Sequence, residues 1–177
     1  MEDLPKVERK KLMSCQRFDV EEISYPLPAG GTFRREVIRH PGAVVILPIL
    51  SDGRICLIRN YRATVEQTLY ELPAGTREPG EPPIETARRE LAEETGYQCS
   101  SIEPLLDFHM SPGILDEHMF AFLATDLTPG PQRLELGEQI ANCPVSVAEL
   151  DEMLRSGQLS DSKSISVLLY YLRFGKQ

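Results

Sequence analysis

Several features that mark particular classes of protein are missing from this sequence. It has no tryptophan, so phenylalanine and tyrosine are the candidate aromatic residues for stacking on a ligand. It has no secretory signal and no apolar run long enough to cross a membrane. Its cysteines never form a C-x-x-C pair, which argues against a zinc site and favours reduced thiols in a cytoplasmic protein. The four cysteines are Cys15, Cys56, Cys99 and Cys143.

An excess of positive charge is missing as well. The chain has 19 Lys and Arg residues against 27 Asp and Glu residues, which gives a formal net charge of -8 and a pI of about 5.0. No basic stripe is present to bind the phosphates of nucleic acid, so neither nucleic acid nor a membrane is an expected partner. An acidic protein that acts on a phosphate compound must obtain local positive charge from a metal ion or from a few arginines.

The length and composition are typical of one soluble domain with a small extension. The chain has 177 residues, of which 41% are apolar and 26% are charged. We assign residues 1–42 to an N-terminal extension and residues 43–177 to the main domain. Residues 1–15 are expected to be frayed or weakly helical, and 17–24 and 32–39 are expected to form a β-hairpin.

The main domain combines strands and helices. The apolar run at 43–50 predicts a buried central strand, and the Asp-Gly turn after it predicts that 55–61 is its hairpin partner. Further strands are predicted at 103–110, at 117–127 and at 140–147, where Pro144 breaks the pattern, and helices are predicted at 84–95, 147–156 and 163–174. This order predicts an α/β or α+β fold, with a mixed sheet between helices on both sides.

The last two helices carry their own start signals. Ser146, with Glu149 three residues later, predicts an N-terminal cap for the helix at 147–156. Asp161 or Ser162 is expected to cap the last helix. We expect that helix to bury an apolar stripe, formed by Ile165, Leu168, Leu169 and Leu172.

A glycine- and proline-rich loop followed by an acidic helix, at 75–97, is the most informative stretch. Glu90, Glu93 and Glu94 have i, i+3, i+4 spacing, which places their carboxylates on one helix face. Like charges so placed repel each other, and a divalent cation with oxygen ligands would offset that repulsion. The alternative is an ordinary solvated surface helix.

This stretch resembles the Nudix box, G-x5-E-x7-R-E-U-x-E-E-x-G-U, at every specified position. The matching residues are Gly75, Glu81, Arg89, Glu90, Leu91, Glu93, Glu94, Gly96 and Tyr97. The resemblance implies a Nudix hydrolase with a Nudix-type α-β-α sandwich and a loop-helix-loop that binds Mg²⁺, or Mn²⁺, and a diphosphate.

The resemblance also implies roles for individual residues of the box. Glu90 and Glu94 are the expected main metal ligands, Glu93 is an additional or alternate ligand, and the carbonyl of Ala74 is a further one. Arg89 is expected to orient Glu81 or another carboxylate of the box. An ordinary i,i+4 pair with Glu85 or Glu93 is the alternative role for Arg89.

The flanks of the box resemble the ADP-ribose pyrophosphatase subgroup. Glu71 to Gly75 reads ELPAG, Asn60-Tyr61-Arg62 resembles the Q-Y-R segment of the subgroup, and Pro112 lies at the subgroup's spacing after the box. The implied reaction is hydrolysis of ADP-ribose to AMP and ribose 5-phosphate. Arg62 is the expected contact for the substrate phosphate, and Arg59 is the second choice.

Two other function classes stay open from the sequence. A Nudix enzyme for another nucleotide sugar, such as GDP-mannose, or for a dinucleotide would share the same metal site. A noncatalytic binding module on the same fold is disfavoured, because such chains usually lose the carboxylates of the box.

The general base is expected in the last third of the chain. The segment LELGEQI offers Glu135 and Glu138, of which Glu138 fits the family better. Asp116 and Glu117, near Pro112, are rivals. The residue must reach the attacking water, so its position decides its role before its pKa does.

The N-terminal extension is expected to form a homodimer. In the subgroup, these strands pack on a second subunit and complete the adenine pocket. Phe33, Phe18 and Tyr25 are candidates to stack on the base, with packing inside the hairpin as the alternative. Arg34 and Arg35 are candidates to contact ribose or phosphate.

Overall fold

A computed structural model describes residues 5–175. The N-terminal region is a three-stranded antiparallel sheet of β1 (Glu8–Ser14), β2 (Asp19–Pro26) and β3 (Thr32–Arg39). The predicted hairpin is therefore present, as β2 and β3. The expectation of a frayed or weakly helical start is wrong for residues 8–14, because the basic side chains of β1 pair with acidic ones of β2, as Arg9 does with Glu21 and Lys11 with Asp19.

The main domain contains two further sheets. One has the strand order β10 (Ile140–Val145), β5 (Ile55–Arg62) and β6 (Gln67–Glu71). The other has the order β7 (Ala74–Thr76), β4 (Ala43–Pro48), β9 (His118–Pro129) and β8 (Tyr97–His109). β4 and β9 are parallel and the other pairs are antiparallel, so the predicted mixed sheet is confirmed.

One predicted strand pairing is wrong. β5 was expected to return alongside β4, but only Ile49 and Ile55 bridge near the turn, and β5 then pairs with β6 and β10 in the other sheet. The Asp-Gly turn fixes the direction of the chain locally, whereas the two strands separate because β4 is paired on both sides, with β7 and β9.

Alternate residues of β4 divide the core in two. Val44 and Ile46 pack against Ala87 and Leu91 of α1 (Pro83–Thr95). Val45 and Leu47 belong to the larger core cluster, on the other side of the strand, which also contains residues of β5, α2 (Val147–Arg155) and α3 (Ser162–Phe174). This α-β-α arrangement confirms the predicted sandwich, and it explains why β4 is apolar throughout.

The helix ends follow from local signals. α1 begins after Pro82 and ends at Gly96, whose φ of 77° is left-handed and whose added Cβ would overlap the carbonyl of Gly130. The predicted capping box of Ser146 and Glu149 is present, and Asp161 rather than Ser162 caps α3. The predicted stripe on α3 is only partly correct, because Leu168 is buried but Leu169 and Leu172 are exposed. Val167, together with the buried Lys163 and Ser164, takes the inward positions instead.

Candidate active site

Helix α1 and the strand before it bring two glutamates against one short piece of backbone. The Glu94 carboxylate accepts a hydrogen bond from the Ala74 N–H at 2.8 Å. The Glu90 carboxyl lies so close to Gly75 that a Cβ on that residue would overlap it. Gly75 is therefore required by the close approach of a carboxylate, and the spacing of Glu90 and Glu94 by one helical turn brings both to the same segment.

Arg89 holds the remaining acidic side chains of the box. It donates to both oxygens of Glu81, at 3.1 Å each, to Glu90 at 2.7 Å and to Glu93 at 3.0 Å. The hydrogen bond from Arg89 holds the pKa of Glu81 well below its usual range, at about 2. Arg89 thus has the orienting position expected from the sequence, and its i,i+4 pair with Glu93 is present as well.

The two glutamates beside Ala74 and Gly75 are poorly suited to carry charge alone. Burial raises the pKa of Glu94 to about 8 and the pKa of Glu90 to about 7, and the charge of Glu138 adds to both increases. The Glu94 residue is only 3% exposed. A nearby positive charge would remove this electrostatic penalty.

The chemistry of this donor set fits a divalent cation. Two carboxylates and backbone carbonyls are the hard oxygen ligands that Mg²⁺ and Mn²⁺ prefer. Within residues 5–175, however, no group of three His, Cys, Asp or Glu side chains is placed to hold a metal ion. Glu90 and Glu94 must therefore be complemented by other oxygen atoms, or by movement of a side chain such as Glu93 away from Arg89.

A cavity of about 670 Å³ lies in front of these carboxylates, and side chains of both charges line it. Its acidic lining residues include Glu90, Glu94, Glu135 and Glu138. The cations that line it include Arg62 and Lys163, and both hold the buried carboxylate of Glu71. This distribution suits a ligand that is itself an anion and brings a cation with it.

The candidate general bases have different surroundings. Glu138 lines the cavity and accepts a hydrogen bond from the backbone N–H of Glu135 at 2.8 Å, and its negative charge contributes to the raised pKa values of Glu90 and Glu94. Glu135 is exposed and lies 3.8 Å from Arg17. Glu117 also lines the cavity but lies 3.4 Å from His40, and Asp116 is occupied by Arg39 and the backbone N–H of His40.

Several residues selected from the sequence do not line this cavity. Glu93 points to Arg89, and Arg59 lies over the ring of Tyr70, with its guanidinium carbon 6.0 Å from the ring centroid. Phe33, Arg35 and Pro112 form a second group. Arg35 lies over Phe33, 5.1 Å from its centroid, and donates to the carbonyl of Gly113 at 3.2 Å. Phe33 also stacks on Tyr25, with the ring centroids 4.7 Å apart.

The turn that contains Pro112 adjoins the cavity. Pro112 lies in a turn in which Ile114 and Leu115 donate to the carbonyl of Ser111. Met110 and Glu117, on either side of that turn, both line the cavity. The N-terminal sheet is held there by β3, because Ile38 exchanges backbone hydrogen bonds with Ile114 and Asp116.

Sequence reasoning missed the ionic group behind Arg62. Glu71 was recognised only as part of the ELPAG segment, and Asp161 only as a candidate helix cap. Lys163 was assigned no role, although a lysine in the first turn of a helix with apolar positions is an unusual charge to bury. The sequence pattern does not show that this lysine is buried, because its burial depends on Glu71, which is 92 residues away along the chain.

Comparison with known proteins agrees with this geometry. The NUDIX domain profile matches residues 38–166. An ADP-ribose pyrophosphatase of Bacillus subtilis (strain 168) is 32% identical over 166 residues, which cover 93% of this chain and 90% of that protein. A methanol dehydrogenase activator of Bacillus methanolicus is 35% identical over 162 residues, which cover 90% and 85%.

A solved structure is also similar. It is described as an ADP compounds hydrolase, and it superposes with a TM-score of 0.84 at 25% sequence identity. The match covers 97% of this chain and 94% of that one. The similarity to this structure therefore includes the N-terminal sheet. Most of that sheet lies before residue 38, where the match to the family profile begins.

Proposed function

This chain belongs to the Nudix family, and we propose that it hydrolyses the diphosphate bond of a nucleoside diphosphate sugar, with ADP-ribose as the main substrate. The products would be AMP and ribose 5-phosphate. One observation carries the proposal: a single cavity contains Glu90, Glu94 and Glu138 together with Arg62. These are the groups that a diphosphate and its accompanying cation require.

Nudix hydrolases generally use divalent metal ions. We propose Mg²⁺ here, with Mn²⁺ as a substitute, bound by Glu90, Glu94 and the carbonyl of Ala74, and by Glu93 as an additional or alternate ligand. When bound, such an ion supplies Lewis acidity and activates water for attack on phosphorus. The raised pKa values of Glu90 and Glu94 support this assignment, since two buried carboxylates favour a cation between them.

The protein side chains have distinct tasks in the proposed reaction. Arg62 presents a planar guanidinium to the cavity and would bind a phosphate oxygen of the substrate. Glu138 would accept the proton of the attacking water, with Glu135 as the second candidate. Arg89 keeps Glu81, Glu90 and Glu93 in place, so it acts on the site and not on the substrate.

The group of Phe33, Arg35 and Pro112 would bind the nucleoside end. An aromatic ring and a guanidinium that bonds to the turn between the cavity residues Met110 and Glu117 are suitable for stacking and hydrogen bonding to a base and ribose. Arg59 lies over Tyr70 and outside the cavity, and we keep it only as a second choice for a phosphate contact.

We also propose that the protein is a cytoplasmic homodimer formed through its N-terminal strands. β1 exposes large apolar side chains, with Leu12 47% and Met13 54% exposed, which a second copy would cover. The four cysteines are free, as expected for a reducing compartment. Within residues 5–175, no helix has the length and apolar character to cross a membrane.

A substrate panel tests the proposed reaction. Purified protein would be incubated with ADP-ribose, GDP-mannose or NADH in the presence of Mg²⁺, and the products separated by ion-exchange chromatography. We expect AMP and ribose 5-phosphate from ADP-ribose, at a higher kcat/KM than for the other two compounds. Faster hydrolysis of GDP-mannose would show that the main substrate is another nucleotide sugar. If none of the compounds were hydrolysed, the enzyme assignment would be contradicted.

A further inference from the structure

The carboxylate of Glu71 is a buried base on which two cations meet. It is fully buried at the end of β6 and accepts three charge-assisted hydrogen bonds. Arg62 donates two of them, from Nε at 2.7 Å and from Nη2 at 2.6 Å, and Lys163 donates the third, from Nζ at 2.7 Å. A buried carboxylate needs such partners, because an unpaired charge in the interior is strongly destabilising.

Lys163 is fixed from its other side by the first turn of α3. Its Nζ also donates to Oδ1 of Asp161 at 2.9 Å. The other oxygen of Asp161, Oδ2, caps the helix by accepting from the N–H of Ser164 at 3.0 Å and from its hydroxyl at 2.6 Å. The lysine is only 8% exposed, so it is held by two carboxylates in the interior and has little freedom to move.

A second link joins the same turn of α3 to the carboxylates of α1. The Leu72 N–H donates to the hydroxyl of Ser164 at 2.7 Å. Two residues further, the Ala74 N–H donates to Glu94 at 2.8 Å. The short segment 71–74 is therefore hydrogen-bonded to α3 through Leu72 and to the proposed metal ligand Glu94 through Ala74.

We propose that Lys163 is a positioning residue that acts through Glu71 to hold the Arg62 guanidinium in one orientation at the cavity. Besides Glu71, to which it is hydrogen-bonded, the guanidinium is acted on by the negative charges of Glu94 and Asp161. Asp161 shares the Nζ of Lys163 with Glu71, so it is the carboxylate whose charge Lys163 balances. With Lys163 in place, Asp161 is neutralised and Arg62 is committed to Glu71. Without Lys163, Asp161 would compete with Glu71 for the guanidinium, and the Arg62 side chain would populate two orientations.

This inference rests on the proposed function, because it assigns Lys163 a task in binding the substrate phosphate. The proposed role of Lys163 differs from a purely structural role in its dependence on Arg62. A structural lysine would affect substrate binding whether or not Arg62 is present, whereas a lysine that acts through Arg62 would matter only when Arg62 is there.

A double-mutant cycle separates these two roles. K163M should raise the KM for ADP-ribose by about tenfold while changing kcat little, since it disturbs one contact of a coupled pair. K163Q, which keeps an N–H donor but not the charge, should have a smaller effect on KM. In an R62A background, K163M should cause no further increase in KM. Equal increases in both backgrounds would overturn the proposal.

The matched control is R155M. Arg155 is also the cation of an ion pair, with Asp151 at 2.7 Å, but it is exposed on α2 and its partner lies outside the network. We expect wild-type KM and kcat for R155M. Thermal unfolding of each variant would show whether it folds, and K163Q takes the place of K163M in the cycle if the methionine variant does not.

A measurement without substrate separates failure of this inference from failure of the proposed function. In ¹⁵N-labelled protein, NMR would follow the Nε–H signal of Arg62. This signal is assigned by its absence from the spectrum of R62A. We expect slow exchange with water in the wild type and in R155M, and faster exchange in K163M and K163Q. Unchanged exchange in both Lys163 variants would overturn the inference even in an active enzyme. Accelerated exchange in a protein that hydrolyses no nucleotide sugar would leave the link from Lys163 to Arg62 intact and remove only the proposed reaction.

Discussion

At the scale of single residues, Glu94 has exacting surroundings. It is nearly fully buried on α1, accepts from the Ala74 N–H, and has a pKa raised by burial to about 8. Such a carboxylate is costly to keep unless it binds something positive. The exposed Glu85, on the same helix, has none of these constraints.

E94Q is therefore expected to fold normally and to lose activity. Glutamine retains an oxygen to accept from Ala74 but cannot supply a negative charge, so kcat should fall roughly 1,000-fold, as when a preorganised electrostatic group is removed. Steady-state kinetics with ADP-ribose would measure the loss, and E85Q is the control that should match the wild type. Near-normal turnover by folded E94Q would remove Glu94 from the site.

Gly75 is the second exacting residue, because the Glu90 carboxyl occupies the place of its missing side chain. G75A should push Glu90 aside and lower kcat/KM by about 100-fold, the order of magnitude for a small misplacement of a reacting group. The control is G113A, since a Cβ on Gly113 would meet no atom within 4 Å. Equal activity of the two variants would show that the position of Glu90 is not critical.

At the scale of elements, the loop before α1 is tied to the helix by Glu81 and Arg89. The pKa of Glu81 in the folded protein is about 2, below its ordinary value of 4.5. A carboxyl group whose pKa is lowered by folding stabilises the folded state at pH values above its ordinary pKa. This contribution to stability is lost as the pH falls from about 4.5 towards 2.

E81Q should therefore lower the melting temperature at pH 7 by about 3 °C, the shift that about 1 kcal/mol causes in a domain of this size. The difference between E81Q and the wild type should shrink as the pH is lowered from 4.5 to 2. Calorimetry across that range measures it, with E85Q expected to show no such trend. A difference that stays constant with pH would mean that the Glu81–Arg89 pair does not stabilise the fold.

The elements themselves differ in how well the sequence predicts them. α1 was predicted almost to the residue, because Pro82, Pro83 and Gly96 mark its ends locally. β1 was missed because its exposed, basic residues form a strand only through pairing with β2. The partner of β5 was predicted wrongly for a related reason, since sheet membership depends on residues as distant as 140–145.

The candidate site shows the same division. Glu90, Glu94, Arg62 and Glu138 were selected from the sequence, and all four line one cavity. Lys163 and Asp161 were not selected as site residues, because their importance comes from Glu71, which is 92 residues from Lys163 along the chain. Short motifs reveal residues that act together within one loop and helix, whereas a network across three elements becomes visible only in the fold.

At the scale of the whole molecule, the N-terminal sheet raises the question of assembly. Its β1 strand exposes Leu12 and Met13, and the sheet is held to the main domain mainly through β3 at Ile38 and Arg39. Exposed apolar side chains on a strand at the edge of a sheet favour contact with a second copy. The division of the chain at residues 42 and 43 stays a prediction.

M13D is expected to convert a dimer into a monomer, because it places a charge in the proposed interface. Light scattering coupled to size-exclusion chromatography would measure the mass, which should be twice that of the 19.9 kDa chain for the wild type. E103Q, an uncharged substitution at an exposed position of β8, is the control and should remain dimeric. A monomeric wild-type protein would contradict the proposed assembly.

We propose above all that the acidic face of α1 acts with a divalent cation on a diphosphate. Phosphorus NMR of ADP-ribose mixed with the protein tests this directly, because diphosphate and monophosphate signals are resolved. With Mg²⁺ present, the diphosphate signals should disappear and two monophosphate signals should replace them, and an excess of EDTA should stop the conversion. If the diphosphate signals persist with folded protein in Mg²⁺ and in Mn²⁺, the central claim is wrong.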